Sequence, residues 1–165
     1  MNGGFGWMFN IGDKVVYPMH GAGVIEAVEE REVLGEKAQY YIMHLPIGDM
    51  QVMVRLDNVK EVGLREIIKH EDVERVFSTL KGEQTQMSQN WNRRYRANME
   101  KIKSGDIFEV AEVVRNLSIR DRERGLSTGE RKMLDNARQI LISELVLAQG
   151  TTAEEVEATI DRLLG

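Results

Sequence analysis

The apolar residues of this 165-residue chain change period part-way along, and that switch constrains the fold more than any single motif. Up to about residue 65 they alternate with polar ones; from about residue 70 they recur every three or four positions. Alternation lines one face of a strand, whereas a spacing of three to four lines one face of a helix. Strands followed by helices make an α+β chain, and 165 residues suffice for two small domains.

In the first part, Lys14–Pro18, Ala22–Val33, Ala38–Leu45 and Met50–Leu56 are rich in β-branched and aromatic residues and predict strands. Turn chemistry separates them: His20-Gly-Ala-Gly23, Leu34-Gly-Glu-Lys37 and Pro46-Ile-Gly-Asp49. Val59–Val62 is expected to add a fifth strand. Five short strands are too few for a two-sheet sandwich, so a small SH3-like or Tudor-like β-barrel is the expected closure. In Met50–Leu56, Met50, Val52, Val54 and Leu56 point one way, and Gln51, Met53 and Arg55 the other.

The second part predicts an all-α domain of about five helices. Glu71–Leu80 is the first and Ser88–Lys103 the second; Asp106, Ser127 and Thr152 open the other three as capping residues. Val110, Val113, Val114 and Leu117, with Leu134, Ala137, Ile140, Leu141 and Leu145, form the widest apolar faces and the expected core. A linker is expected near Gly63–His70.

Composition removes several function classes. With no Cys there is no disulfide, thiolate metal site or cysteine nucleophile, and the three His at 20, 44 and 70 are too scattered for a zinc site. His20-Gly-Ala-Gly23 lacks the Lys-Ser/Thr of a phosphate-binding loop and the third Gly of a dinucleotide site. No enzyme, cofactor or metal is expected. No apolar run approaches the ~20 residues of a membrane span, and the first seven residues lack the pattern of a signal peptide; a cytoplasmic protein is expected. The net charge of −5 conceals a basic middle, because residues 84–138 carry 12 Lys/Arg against 8 Asp/Glu.

The densest part of that region is Asn90-Trp-Asn-Arg-Arg-Tyr-Arg96. Trp91, Tyr95, Met99 and Ile102 fall on one helical stripe, Arg93, Arg96 and Lys103 on the opposite one, and Arg94 and Lys101 beside them. Two readings stay open from periodicity. Trp91 is a core anchor over a solvated arginine face, or it is an aromatic wedge among cations that meet phosphates. A second basic cluster, Arg120, Arg122, Arg124, Arg131 and Lys132, brackets the next helix junction. A methyl-cation cage from Tyr17, Tyr40 and Tyr41 is disfavoured, because alternation sends Tyr40 and Tyr41 to opposite faces.

Several segments, in order, resemble the CarD/CdnL family of bacterial transcription regulators: Phe9-Asn-Ile-Gly-Asp-Lys-Val-Val-Tyr-Pro-Met-His-Gly-Ala-Gly23, Asn90-Trp-Asn-Arg-Arg-Tyr-Arg-Ala-Asn-Met-Glu-Lys101, Val110-Ala-Glu-Val-Val-Arg115, Arg124-Gly-Leu-Ser-Thr-Gly-Glu-Arg-Lys-Met-Leu134 and Ala137-Arg-Gln-Ile-Leu141. The resemblance implies a Tudor-like domain over residues 8–66, related to the polymerase-interacting domain of transcription-repair coupling factor, that grips the RNA polymerase β subunit. It also implies a helical domain over 67–165 that contacts promoter DNA at the upstream edge of the melted −10 region. Residues 1–7 are a leader outside it. Trp91 matches the family's minor-groove wedge, Arg93 and Arg96 its neighbouring cations, and Arg131 a further one; Arg94 and Lys132 complete the expected DNA-binding set. Arg31 matches a polymerase contact; Met53 stands where the family commonly has Arg, with Arg55 as adjacent support. The expected protein is a monomer that stabilises the open promoter complex; the alternative is a Tudor-like interaction module without DNA function.

Overall fold

The computed structural model describes residues 8–165, so the 1–7 leader lies outside the described residues. The sheet comprises β1 (Lys14–Tyr17), β2 (Gly21–Val33), β3 (Glu36–Leu45), β4 (Met50–Arg55) and β5 (Arg65–Glu66). All pairings are antiparallel, in the order β4-β3-β2-β1-β5. The expected barrel is therefore not closed. Closure needs β4 to pair with β5, and among the described residues β5, two residues long, pairs only with β1, so that β4 is an edge of the sheet.

Val59–Val62 is a helical turn, α1, not the fifth strand. A 3₁₀ turn over Leu56–Asn58 leads into it, and Gly63 ends it in the left-handed conformation (φ 76°) that a residue with a Cβ rarely adopts. The helical spacing of Val59 and Val62 turns both onto the sheet core. That core holds Phe9, Val15, Ile25, Tyr41, Met43, Leu45, Val54, Val59 and Leu64. The one buried hydroxyl in it is satisfied twice: Tyr41 Oη accepts from the Phe9 N–H (3.0 Å) and donates to the Phe9 carbonyl (2.9 Å).

The helices that follow are α2 (Val73–Lys81), α3 (Trp91–Lys103), α4 (Ile107–Arg124), α5 (Thr128–Gln149) and α6 (Ala153–Leu164). Side chains cap four of them. Asn90, Asp106, Ser127 and Thr152 accept the backbone N–H groups of Arg93, Phe108, Glu130 and Glu155 respectively, at 2.8–3.2 Å. The residues expected on the faces of α4 and α5 are all buried, at the centre of the helical core.

Gly63–His70 is not a free linker. Arg65 and Glu66 pair with β1, and the Ile67 and Ile68 N–H groups donate to the Lys14 carbonyl (3.2 Å) and the Glu144 carboxylate (2.8 Å). The segment from Gly82 to Asn90 is strapped onto α4. The buried Arg115 guanidinium donates to the Thr79 carbonyl (3.0 Å) and Thr85 Oγ1 (2.6 Å), and Asn116 Oδ1 accepts the Thr85 N–H (3.1 Å). That strap delivers the chain to the start of α3, where Trp91 stands.

Candidate functional site

Trp91 is the first residue of α3 and is 42% exposed. It is neither free nor a core anchor. Its indole N–H donates to Ser127 Oγ (2.9 Å), and its ring stacks on Tyr95 with centroids 5.0 Å apart and planes 19° from parallel. Gly129 closes the seat against the ring: a Cβ there would stand 3.4 Å from Trp91 Cζ2 and 3.7 Å from Tyr95 Cε2. Further along the stripe Tyr95 and Met99 are half-buried and Ile102 is buried, so exposure fades from the helix start inward.

Ser127 connects this ring to the interior. Its Oγ caps α5 and donates to Glu130 Oε1 (3.2 Å), and Glu130 pairs with Arg94 at 2.7 Å. Arg94 and Glu130 are both buried, at 3% and 2% exposure. Arg94 also donates to the Ser88 and Gln89 carbonyls (3.1 and 3.2 Å), tying down the approach to α3. Burial pushes the Glu130 carboxyl up, but the Arg94 hydrogen bonds and charge, with those of Ser127, outweigh it and hold the group below its ordinary value of 4.5. Arg94, expected among the DNA-facing cations, is therefore removed from the surface: its guanidinium is engaged inside, on Glu130.

The remaining cations are exposed. Arg93, Arg96 and Lys132 enter none of the ion pairs formed among the described residues. Arg131 is exposed but hydrogen-bonded to Asp121 (2.7 Å), whose hydrogen bond and charge raise its pKa. The contact of Trp91 with Ser127 and Gly129 brings the starts of α3 and α5 together, so the two basic clusters share one end of the helical domain. Within the second cluster, Arg122 donates to the Leu164 and Gly165 carbonyls, and Arg120 and Arg124 line a cavity of about 230 Å³ with Gln84, Gln86 and Gln89.

On the sheet, the register sets Ala27, Ile42 and Met53 abreast, then Glu29, Tyr40 and Arg55, then Arg31 and Ala38. Arg31, Met53 and Arg55 thus lie on one face, opposite to that of Tyr41, Met43 and Val54. Met53 is 39% exposed on the edge strand. Arg31 pairs with Glu29 (2.6 Å), and Arg55 with Glu36 (2.7 Å) and Asp57 (2.8 Å). The Glu36 hydrogen bond, with help from Asp57, raises the Arg55 pKa despite an opposing burial effect.

Sequence reasoning did not assign roles to Ser127, Gly129 or Glu130 beside Trp91. The spacing Ser127-Thr-Gly-Glu130 announces a helix start, but nothing local announces that Arg94, 36 residues before Glu130, completes it. Among the described residues no group of three or more His, Asp or Glu could hold a metal ion, and no helix is long and apolar enough to cross a membrane.

Comparison with known proteins converges on one family. A family model described as "CarD-like/TRCF RID domain" matches residues 9–68, and one described as "CarD, C-terminal domain" matches residues 75–161. A Bacillus subtilis (strain 168) protein named "Putative transcription factor YdeB" is 41% identical over 151 residues, which span 92% of this chain and 99% of that protein. The solution NMR structure of the 72-residue N-terminal domain of Myxococcus xanthus CarD is 33% identical and covers 35% of this chain and 77% of that one, with a TM-score of 0.31. With both of its parts matched in order, the chain belongs to the CarD-like family of transcription regulators, an RNA polymerase-interacting domain followed by a CarD C-terminal domain.

Proposed function

We propose that the chain regulates transcription initiation by holding RNA polymerase and promoter DNA at once, and so prolongs the life of the open complex. The sheet docks on the polymerase β subunit through the β4 edge and the face bearing Arg31, Met53 and Arg55. An edge strand offers unpaired backbone groups that a partner's strand can satisfy. The helical domain meets DNA at the upstream edge of the −10 bubble, with Trp91 wedged into the minor groove and Arg93, Arg96, Arg131 and Lys132 against phosphates. Arg94 serves this site from within, by fixing the perch on which Trp91 sits. The chain acts as a monomer in the cytoplasm, without cofactor or catalysis, since one copy carries both surfaces.

The observation that carries this reading is a half-exposed tryptophan, stacked and hydrogen-bonded in place, at the end of the helical domain that also carries exposed Arg93, Arg96 and Lys132, which enter no ion pair among the described residues. A wedge of this kind acts by binding one state of a two-state equilibrium better than the other. The acidic total charge fits a protein delivered to DNA by polymerase, because tethering replaces intrinsic affinity with local concentration. A Tudor-like interaction module without DNA function accounts for that charge but gives the pinned tryptophan no role.

Trp91→Ala tests it. The substitution removes one hydrogen bond and one stacked pair, together about 1–3 kcal/mol of stability. A lost base–aromatic contact is worth about 1–3 kcal/mol, or roughly five- to 150-fold in the lifetime of heparin-challenged promoter complexes. Lifetime unchanged at equal folded fraction, with polymerase still bound, sinks the wedge.

A further inference from the structure

The two halves of the chain meet along the second half of α5, and the contacts are directional. Ser143 Oγ accepts the Ala22 N–H at the start of β2 (2.9 Å), and a Cβ on Gly21 would stand 2.9 Å from the same oxygen. The next residue, Glu144, is 2% exposed. Its two carboxylate oxygens accept the Arg65 guanidinium of β5 at 2.8 and 2.7 Å, and one of them also accepts the Ile68 N–H at 2.8 Å. The same guanidinium donates to the Gly105 carbonyl at the α3–α4 turn (2.9 and 2.6 Å). One side chain of the sheet thus grips two separate elements of the helical domain.

Apolar packing also joins the halves, with Met19, Ile47 and Ile68 set against the helical core. Packing supplies attraction without a preferred angle, whereas a forked guanidinium–carboxylate pair fixes both distance and orientation. With Glu144 buried and about a third of the Arg65 side chain exposed, the pair adds little net stability, so its distinctive contribution is geometric.

We propose that Arg65 and Glu144 are positioning residues that set the angle between the polymerase-facing sheet and the helix end carrying Trp91. This rests on the two-surface reading above: both surfaces can engage together only if their relative orientation matches the polymerase–promoter junction, and linkage between sites is lost when geometry forbids it.

Arg65→Met with Glu144→Gln removes both charges together and leaves a carboxamide oxygen for the Ile68 N–H. In residual dipolar couplings of the full chain, one alignment tensor fits both halves of the wild type. In the double variant each half keeps its internal fit while the two tensors diverge. Capture of polymerase and duplex binding by the free protein stay within about twofold of wild type, and open-complex lifetime falls at least about fivefold, the lower end of typical coupling between sites. Arg65→Lys, which keeps a charge but cannot span Glu144 and Gly105 together, shows a smaller divergence of the same kind. Ile160→Val, a truncation in the core remote from this junction, lowers the melting temperature and leaves a single tensor.

A single tensor in both Arg65 variants overturns the assignment, as does divergence with an unchanged lifetime where wild type prolongs it. If wild type does not prolong the lifetime but the tensors still diverge, the two-surface reading fails while the role of the pair in orientation stands.

Discussion

Arg94→Met should cost far more than an ordinary helix substitution, because it strands the Glu130 carboxylate where water does not reach. Removing one member of a buried ion pair typically costs about 3–5 kcal/mol. Here the carboxyl has an escape: it can take up a proton. From its ordinary value of 4.5, that costs about 3.4 kcal/mol at pH 7, at 1.36 kcal/mol per unit. The deficit at pH 7 is therefore about 3 kcal/mol, and the melting temperature should fall by roughly 6–12 °C for a chain of this size.

The sign with pH follows. In wild type the folded-state carboxyl lies below its ordinary value, so its contribution is present above about 4.5 and is lost as pH falls through the folded value. In the variant the folded value is raised, so the deficit shrinks with acid, to about 0.7 kcal/mol at pH 5 on the same arithmetic. Arg94→Met combined with Glu130→Gln removes both charges, keeps a side chain that can accept from Ser127, and should recover most of the loss. Urea melts of the four proteins of the cycle at pH 5 and 7 measure this. A deficit below about 1 kcal/mol at pH 7, or one independent of pH, would refute the reasoning. The stable double variant also tests whether the arginine touches DNA. Its salt slope on duplex DNA should equal that of wild type, and a slope shallower by about 0.9 would return Arg94 to the phosphates.

Duplex binding by the free protein should be weak, with a log–log salt slope of about −2.7 to −3.6, from three to four phosphate contacts among Arg93, Arg96, Arg131 and Lys132; tight, salt-insensitive binding contradicts delivery by polymerase. Met53→Glu or Arg31→Glu should weaken capture of the polymerase β subunit by full-length protein in a pull-down, without shifting the melting temperature by more than about 2 °C, since both side chains are exposed. Unchanged capture by both variants moves the docking surface elsewhere.

Much of this architecture is legible in the sequence because it is local. Turn chemistry between strands, alternation in β3 and β4, and capping residues at Asp106, Ser127 and Thr152 act within a few positions. Val59–Val62 misleads because β-branched valines favour a strand by composition, although their spacing of three is helical and Gly63 ends the turn in the left-handed conformation. Closure of the sheet is illegible for another reason. It depends on whether β4 finds β5, a pairing between segments whose own patterns say nothing about each other. Arg94 is misplaced for the same cause. A helical wheel sets it beside exposed neighbours, while its fate is decided by Glu130 across the domain. Arg65 and Glu144, 79 positions apart, leave no trace in either local pattern.

Helix α5 holds two different partners at two addresses. Its cap, Ser127, holds the indole of Trp91, and Ser143 and Glu144 hold the sheet. From Ser127 to Ser143 is 16 positions, about 24 Å at about 1.5 Å per residue. The helix is in this sense a gauge, and its residue count is a dimension of the molecule. One inserted residue between the two addresses would advance the far end by only about 1.5 Å but turn it by about 100°, sending Glu144 away from Arg65. Seven inserted residues would nearly restore the facing, within about 20°, and lengthen the gauge by about 10 Å. Substitutions at its exposed positions Asp135, Asn136 and Gln139 leave that dimension untouched, so this stretch can drift in sequence but not in length.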